Sequence, residues 1–388
     1  MQSLEQLITL RKTLHQNPEL SNQEEATAVR ILNEFKCFSP DEIVTDLGGT
    51  GLAFVFNGAD SGPTTLIRSE LDALPIEETN TFAHRSQVKG ISHKCGHDGH
   101  MSIVTALGAE LAKSRPQKGR VVLCFQPAEE TGMGAIQVVK DFRFASLKPD
   151  YAFALHNYPG LELGKVAVRA GTFNCASRGM IIHLKGKTSH AAHPENGVSP
   201  ANAMCHIIQE LNTLPAKLTQ QGIGGRHWVT VIHAKLGEIA FGTAPGDAVV
   251  MVTLRSETNE GMHTLIEQAE AFSRRLAEQE RLSISFEYDD VFQASVNSQI
   301  GCDLVVNACE TMQTPCLLLD EPMRWSEDFG QFTATAKEGA MFALGAGQTS
   351  PQLHNPDYDF PDSLIPIGRD IFLDIIRQLN GLKPQSKV

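Results

Sequence analysis

The run His93-Lys-Cys-Gly-His-Asp-Gly-His100 carries the densest set of potential metal ligands in the sequence. Imidazole and thiolate donors this close together suit zinc, manganese or a similar divalent ion. Gly96 lets the backbone turn tightly between Cys95 and His97. We expect a loop to enter a helix here, and the positive end of that helix would help hold Cys95 as a thiolate. The alternative interpretation is a histidine-rich loop around a buried cysteine.

Two adjacent carboxylates, Glu129 and Glu130, follow the apolar run Arg120-Val-Val-Leu-Cys-Phe125. Side chains at the carboxyl end of a buried strand point into the crevice where open α/β sheets bind ligands. One carboxylate can bind a metal while its neighbour acts as general base on a metal-activated water. The alternative is an exposed acidic turn, which the position directly after a buried strand disfavours.

Histidines also follow two other predicted strands. His156 ends the run Tyr151-Ala-Phe-Ala-Leu155, and His354 follows Met341-Phe-Ala-Leu-Gly345. Asp72 comes just after a further predicted strand, where its carboxylate could hydrogen-bond a ligand imidazole and fix its tautomer.

Five side chains are therefore candidate ligands. They are Cys95, His97, Glu130, His156 and His354. Five donors are too many for one catalytic zinc with an open position. They suit two ions about 3.5–4 Å apart. The sequence does not decide whether one of these residues or a water bridges the ions.

Alternating helices and strands must position these residues. Leucines at helical spacing predict helix over 5–36, interrupted at Pro18. Buried strands are predicted over 51–56, 64–68, 120–125 and 151–155, with a helix over about 100–113. After residue 290, a helix near 300–312 and strands at 316–320 and 340–345 continue the alternation of helices and strands. This pattern is typical of a layered α/β domain.

A different pattern occupies the middle of the chain. Its predicted elements are a strand at 178–184, a helix at 199–214, strands at 227–233 and 248–255, a helix at 260–280 and a strand at 282–288. That order is typical of a ferredoxin-like α+β unit. We therefore assign 1–176 and 291–388 to a catalytic domain, and 177–290 to an inserted domain.

Composition excludes several classes of partner. Lys plus Arg number 33 against 45 Asp plus Glu, a net charge of -12, so a nucleic acid or an anionic membrane is not expected to bind. No stretch approaches the roughly 18–20 apolar residues of a membrane span. The N-terminus lacks the layout of a secretory signal. The cysteines show no disulfide-scaffold spacing, which favours a reduced, cytoplasmic enzyme.

Motifs along nearly the whole chain resemble the M20 metallopeptidases. Specifically, they resemble the amidohydrolase branch with hippurate hydrolases, indole-acetyl-amino-acid hydrolases and N-acyl-amino-acid amidohydrolases. The matching motifs, in the family's order, are Leu10–Leu20, Glu70–Pro75, Cys95–Asp98, Gln126–Glu130, His190–Pro194, Ser326–Gly330 and His354–Pro356. Cys-Gly-His-Asp together with Pro-Ala-Glu-Glu is a specific combination.

The resemblance implies a zinc-peptidase-type catalytic domain with two divalent ions, zinc or manganese, and an inserted lid through which subunits pair as a homodimer. It implies that Cys95, His97, Glu130, His156 and His354 are the ligands. It implies that Glu129 is the general base and that Asp72 orients a histidine ligand. It also implies that His190, on the lid, stabilises the oxyanion, from its own or a partner subunit.

The sequence departs from the branch in two places. Glu70 stands where the branch usually has Asp, which keeps a carboxylate. The lid motif Asn-Val-Ile-Pro-Asp is replaced by Gly242-Thr-Ala-Pro-Gly246, which removes an amide that could contact a substrate carboxylate. Arg255 is a second candidate for contacting an anion.

The leading hypothesis is metal-dependent hydrolysis of the amide bond of an N-acyl amino acid or similar small conjugate. A metal-bound hydroxide would attack the carbonyl, with Glu129 as general base. Two alternatives stay open. One is a dipeptidase or aminopeptidase of the same fold, and the other is a non-catalytic protein that binds a small metabolite.

Overall fold

The computed structural model describes residues 3–382, and these form two compact units. The first unit comprises the described residues up to Phe173, Ser295–Pro322 and the described residues from Glu327 onward. The second comprises Asn174–Ala294 and Met323–Ser326. The sequence placed the boundaries at 177 and 290. It assigned the short segment Met323–Ser326 to the catalytic domain, whereas the contacts group it with the second unit.

The first unit contains most of the helices and strands. Its helices are α1 Leu4–Gln16, α2 Glu25–Phe35, α3 His97–Lys113, α4 Gly134–Lys140, α7 Gln299–Thr311, α8 Gly330–Thr335 and α9 Leu364–Asn380. Its strands are β1 Glu42–Leu47, β2 Gly51–Asn57, β3 Asp60–Glu70, β4 Lys118–Gln126, β5 Tyr151–Pro159, β6 Val166–Val168, β7 Gly171–Asn174 (which ends at the boundary), β14 Ser295–Asn297, β15 Cys316–Leu318 and β16 Glu338–Gly347.

An eight-stranded mixed sheet forms the centre of this unit, with strand order β1-β2-β4-β3-β5-β16-β6-β15. The pairs β4–β3, β3–β5 and β5–β16 are parallel. Their middle residues are buried, as expected of strands covered on both faces. Because carboxyl ends of parallel strands meet at one sheet edge, the residues that follow β3, β4 and β5 are brought together.

The helices that flank this sheet agree with the prediction at one place and differ from it at another. The interruption predicted at Pro18 is confirmed, because α1 ends at Gln16 and α2 begins at Glu25. The closing helix α9, Leu364–Asn380, was not predicted although its buried leucines and isoleucines recur at helical spacing. It packs against α3 and α7.

The second unit has the predicted ferredoxin-like order. Its elements are β8 Ala176–Lys185, β9 Ser189–His190, α5 Ala201–Gln220, β10 His227–Leu236, β11 Thr243–Ala244, β12 Asp247–Ser256, α6 Asn259–Gln279 and β13 Ser283–Phe292. Four strands form an antiparallel sheet in the order β10-β12-β8-β13. Alternate residues of β8 and β12, such as Met180 and Val252, are buried with apolar residues of α5 and α6 in a separate core.

Two further observations bear on the expected cellular setting. Among the described helices, none has the length and apolar character needed to cross a membrane. All eight cysteines are free thiols, five of them buried. The cytoplasmic location stays a prediction.

Candidate functional site

The loop that enters α3 places Cys95 and His97 in the interior of the first unit. Gly96 has φ +92°, in the left-handed region that favours glycine, and a Cβ there would lie 2.5 Å from Asn157 Oδ1. The sequence predicted that the helix end would hold Cys95 as a thiolate. Instead, burial and then the charges of Glu130 and Glu129 raise the pKa of its thiol well above the usual value. A thiolate here therefore needs a cation beside it.

A tight turn after β4 positions the two adjacent carboxylates. Ala128 takes φ +50°, and its N–H donates to Glu24 Oε1 at 2.8 Å. A non-glycine residue in this region is strained and persists because the surroundings hold it there. The turn brings Glu129 Oε2 and Glu130 Oε1 each to 3.8 Å from His97 Nε2.

His156 and His354 reach the same place from other segments. His156, near the end of β5, has its Nε2 3.4 Å from Cys95 Sγ, and its Nδ1 donates to the main-chain oxygen of Asn157 at 2.9 Å. His354 has left-handed backbone with φ +66°, and its side chain is 52% exposed. Its Nε2 lies 3.8 Å from Glu130 Oε2.

The structure brings the five predicted ligands together as two overlapping sets. The sets are Cys95, His97 and His156, and Cys95, Glu130 and His354, each with its donor atoms within 4.8 Å of one another. Ligand atoms about 2.0–2.3 Å from a tetrahedral ion are about 3.3–3.8 Å apart, close to these spacings. The two oxygens of Glu130 face different histidines, His97 and His354, and Cys95 is common to both sets.

The polar atoms at this place fit a divalent ion. His97 Nε2 and Glu130 Oε1 are buried and without a hydrogen-bond partner among the described residues. Burial alone would lower the pKa of His97, but Glu70 and Asp72 raise it to about 10. Burial and then Asp72 raise the pKa of Glu130 to about 7. An ion between these groups would replace the protons that they otherwise retain.

Asp72 contacts both its predicted partner and the acidic turn. His97 Nδ1 donates to the main-chain oxygen of Asp72 at 2.8 Å, while the carboxylate Oδ1 is 3.6 Å away. The carboxylate Oδ2 accepts from Glu130 N–H at 3.0 Å and from Ser21 Oγ at 2.7 Å. Asp72 therefore fixes the His97 tautomer mainly through its main chain, and its carboxylate holds the backbone of Glu130.

His190 belongs to the second unit, whereas the other seven predicted site residues belong to the first. It is exposed and lies on β9, which pairs with β11. Ala191 N–H donates to the Gly242 oxygen at 3.0 Å. The segment where the family's lid amide is missing therefore lies beside His190.

A buried network around Arg68 was not predicted. The fully buried guanidinium contacts Glu70, donates to Glu327 at 2.7 Å and Asp328 at 2.9 Å, and its Nε donates to Gln126 at 2.7 Å. Four carboxylates, those of Glu70, Glu129, Glu327 and Asp328, thus surround one cation.

This network acts on Glu129 through charge. Burial, then Glu327, Glu130 and Asp328, raise the pKa of Glu129 well above its usual value, and Arg68 only partly compensates. The signal that could have found the network is the pair Glu327-Asp328 inside a family motif. Arg68 itself gave no such signal, because it directly follows the apolar residues Leu66 and Ile67 of a predicted strand.

Comparisons with known proteins identify the family. A family model described as peptidase family M20/M25/M40 matches residues 66–378. An N-acetyldiaminopimelate deacetylase of Enterococcus faecalis is 28% identical over 379 residues, 97% of this chain and 98% of the relative. A hippurate hydrolase of Campylobacter jejuni is 27% identical over 358 residues, 92% of each chain.

Solved structures share the fold. The YXEP protein of Bacillus subtilis, described as a dinuclear metal binding peptidase from the M20 family, superposes with a TM-score of 0.82 at 23% identity, covering 96% of this chain and 97% of that one. Taken together, the family match and the named relatives place the chain in peptidase family M20/M25/M40, as a metal-dependent amidohydrolase.

Proposed function

We propose that this enzyme hydrolyses the amide bond of N-acyl amino acids or similar small conjugates. The observation that carries the proposal is the position of Glu129 and Glu130, both 3.8 Å from His97 Nε2 within the Cys and His cluster. The names of the relatives support the substrate class, since N-acetyldiaminopimelate and hippurate are both N-acyl amino acids.

In this proposal, two divalent ions are held by Cys95, His97, Glu130, His156 and His354. When bound, such ions polarise the scissile carbonyl and lower the pKa of water. Cys, His and carboxylate donors suit zinc or manganese. Asp72 keeps His97 and Glu130 oriented through the hydrogen bonds described above.

Glu129 is the proposed general base. Glu130 is a proposed ligand, and the Asp72 carboxylate accepts hydrogen bonds from Glu130 N–H and Ser21 Oγ. Among the described residues, the Glu129 carboxylate accepts no hydrogen bond. A general base works best when its pKa lies near the working pH, and burial with the neighbouring carboxylates moves the pKa of Glu129 upward, in that direction. It would then pass that proton to the leaving nitrogen.

His190 is the proposed oxyanion donor. Its Nδ1 accepts from Ala192 N–H at 3.0 Å, so the neutral ring carries its proton on Nε2. That N–H can donate to a developing oxyanion, a contribution worth about 3–4 kcal/mol in other enzymes. The loss of the branch's amide at Gly242, beside His190, supports an altered preference for the substrate's carboxylate end.

Amine release from a panel of substrates tests the reaction. The metal-stripped protein would be reloaded with manganese or zinc and offered N-acyl amino acids and dipeptides. We expect metal-dependent release from N-acyl amino acids, and a loss of about 10²–10⁴-fold in kcat for Glu129→Gln with metal content retained. Release from dipeptides alone would indicate a peptidase instead. Ion and substrate binding without turnover would indicate a binding protein.

We also propose that two copies of the chain pair through the second unit. Strand β10 lies at an edge of its sheet, and Ile232 on it is 61% exposed. Ile239 and Phe241, in the following loop, are fully exposed. An exposed edge strand with apolar side chains is suited to pairing with a second chain.

Light scattering of the purified protein tests this pairing. We expect a dimer, and a shift to monomer in Phe241→Asp. Phe142→Asp, which changes a phenylalanine of the first unit that is 83% exposed, is the control and should stay dimeric. A monomeric parent protein would refute the proposal.

A further inference from the structure

Asn157 is fully buried next to His156, and both its main chain and its side chain make polar contacts. Its N–H donates to His100 Nε2 at 3.2 Å, and its main-chain oxygen accepts from His156 Nδ1 at 2.9 Å. Its side-chain Nδ2 donates to the Tyr358 hydroxyl at 2.6 Å, while Oδ1 contacts the His100 ring. Asn157 therefore links the end of β5 to two other segments.

Tyr358 is connected in turn to the loop that carries Cys95. Lys94, fully buried, donates from Nζ to the main-chain oxygen of Tyr358 at 2.7 Å. The main-chain oxygen of Lys94 accepts from His354 N–H at 2.9 Å. The segment 354–358 is thus tied to Lys94 at both ends, one residue before Cys95.

Gly96 completes the arrangement. Its α-carbon lies so close to Asn157 that an added Cβ would be 2.5 Å from Oδ1 and 2.8 Å from Nδ2. The Asn157 amide is therefore packed directly against the backbone between Cys95 and His97.

We propose that the hydrogen bond between Asn157 and Tyr358 is a positioning contact that fixes the mutual geometry of Cys95, His156 and His354. These three side chains come from segments far apart in sequence, and Asn157 and Tyr358 join the three segments in one hydrogen-bonded unit. The inference rests on the proposed function in so far as these side chains bind ions. Groups behind metal ligands act in this way because they hold the ligand orientation that the ion requires.

Metal affinity measured with a competing chelator tests the proposal without an activity assay. Tyr358→Phe removes only the hydroxyl, and we expect zinc affinity to fall about 10–100-fold. In the cobalt-loaded protein, the near-ultraviolet absorption from thiolate to cobalt should shift or weaken, since it reports the geometry at Cys95. Tyr288→Phe is the matched control, because it removes a tyrosine hydroxyl bonded to Glu270 in the second unit. It should leave both readouts unchanged.

A second pair of variants covers the case in which Tyr358→Phe fails to fold. Gly96→Ala pushes a methyl group against Asn157 and should weaken zinc binding, whereas Gly160→Ala imposes the same backbone strain, at φ +94°, with no atom within 4 Å of its Cβ. Parent-like zinc affinity in folded Tyr358→Phe, or equal effects of the two glycine variants, would overturn the positioning role and leave the proposed function intact. A parent protein that binds no divalent ion would overturn both.

Discussion

Two glycines in the altered segment beside His190 face opposite steric constraints. A Cβ on Gly242 would meet no atom within 4 Å, whereas a Cβ on Gly246 would lie 2.3 Å from Thr188 N. Gly242 is therefore not required by the fold, and packing does not explain the missing amide. Gly246 is required, because the backbone of Thr188 cannot move away from a new side chain at low cost.

We expect Gly242→Asn to fold normally and to change KM for substrates with a free carboxylate, since it restores the amide found in the branch. Gly246→Asp should lower the unfolding temperature, by the several degrees that correspond to about 1–3 kcal/mol. Thermal unfolding and kcat/KM on the substrate panel measure the two effects. If Gly242→Asn destabilised the protein as much as Gly246→Asp, the fold would require glycine at position 242 as well.

At the scale of elements, α1 is joined to α3 by buried charges. His15 Nδ1 donates to Asp98 Oδ2 at 2.9 Å, and Nε2 donates to Glu78 Oε1 at 3.1 Å. Arg11 also contacts Asp98. Burial alone would lower the pKa of His15, but its two carboxylate partners raise it to about 9. The folded protein therefore holds a charged imidazole here at neutral pH.

The stability of the metal-free protein should consequently depend on pH through His15. Its pKa is about 9 when folded and about 6.5 when unfolded, so the stabilisation is complete below about pH 6.5 and is lost as pH rises through about 9. Urea unfolding of the parent and of His15→Asn between pH 6 and 10 measures this. The difference in unfolding free energy between them should shrink with rising pH, and a constant difference would contradict the assignment.

The sequence located the segments that carry the proposed ligands, because strand ends are marked by apolar runs that stop at a polar residue, as at Leu155-His156. It could not predict the contacts behind them. Arg68 follows the apolar pair Leu66-Ile67 in β3, and nothing in its spacing shows that it pairs with Glu327. Asn157 in β5 and Tyr358 in a loop show no pattern that pairs them, yet the fold brings Asn157 Nδ2 to 2.6 Å from the Tyr358 hydroxyl. Such contacts depend on tertiary packing, which local pattern does not encode.

At the scale of the whole molecule, the two units have separate cores, and all five proposed ligands lie in the first. An ion that binds only the folded first unit stabilises that unit and not the second. Both tryptophans, Trp228 and Trp325, belong to the second unit. The protein thus contains an intrinsic reporter for one unit alone.

We expect heat unfolding to show two transitions, only one of which moves down when a chelator removes the ions. A free ion concentration of 100 times the Kd should stabilise the first unit by about 2.7 kcal/mol. Calorimetry would detect both transitions, and tryptophan fluorescence would follow only the transition insensitive to chelator. Coincident transitions that shift together would show that the units unfold as one.

Strand β16, which comes late in the chain, lies between β5 and β6 in the central sheet, and His354 follows it. In sequence, the second unit lies between β6 and β16. During synthesis, the second unit can therefore fold on the ribosome while the sheet of the first is still open along its middle. His354 is the last of the five proposed ligands in the chain, so the complete set would form only after β16 has joined the sheet.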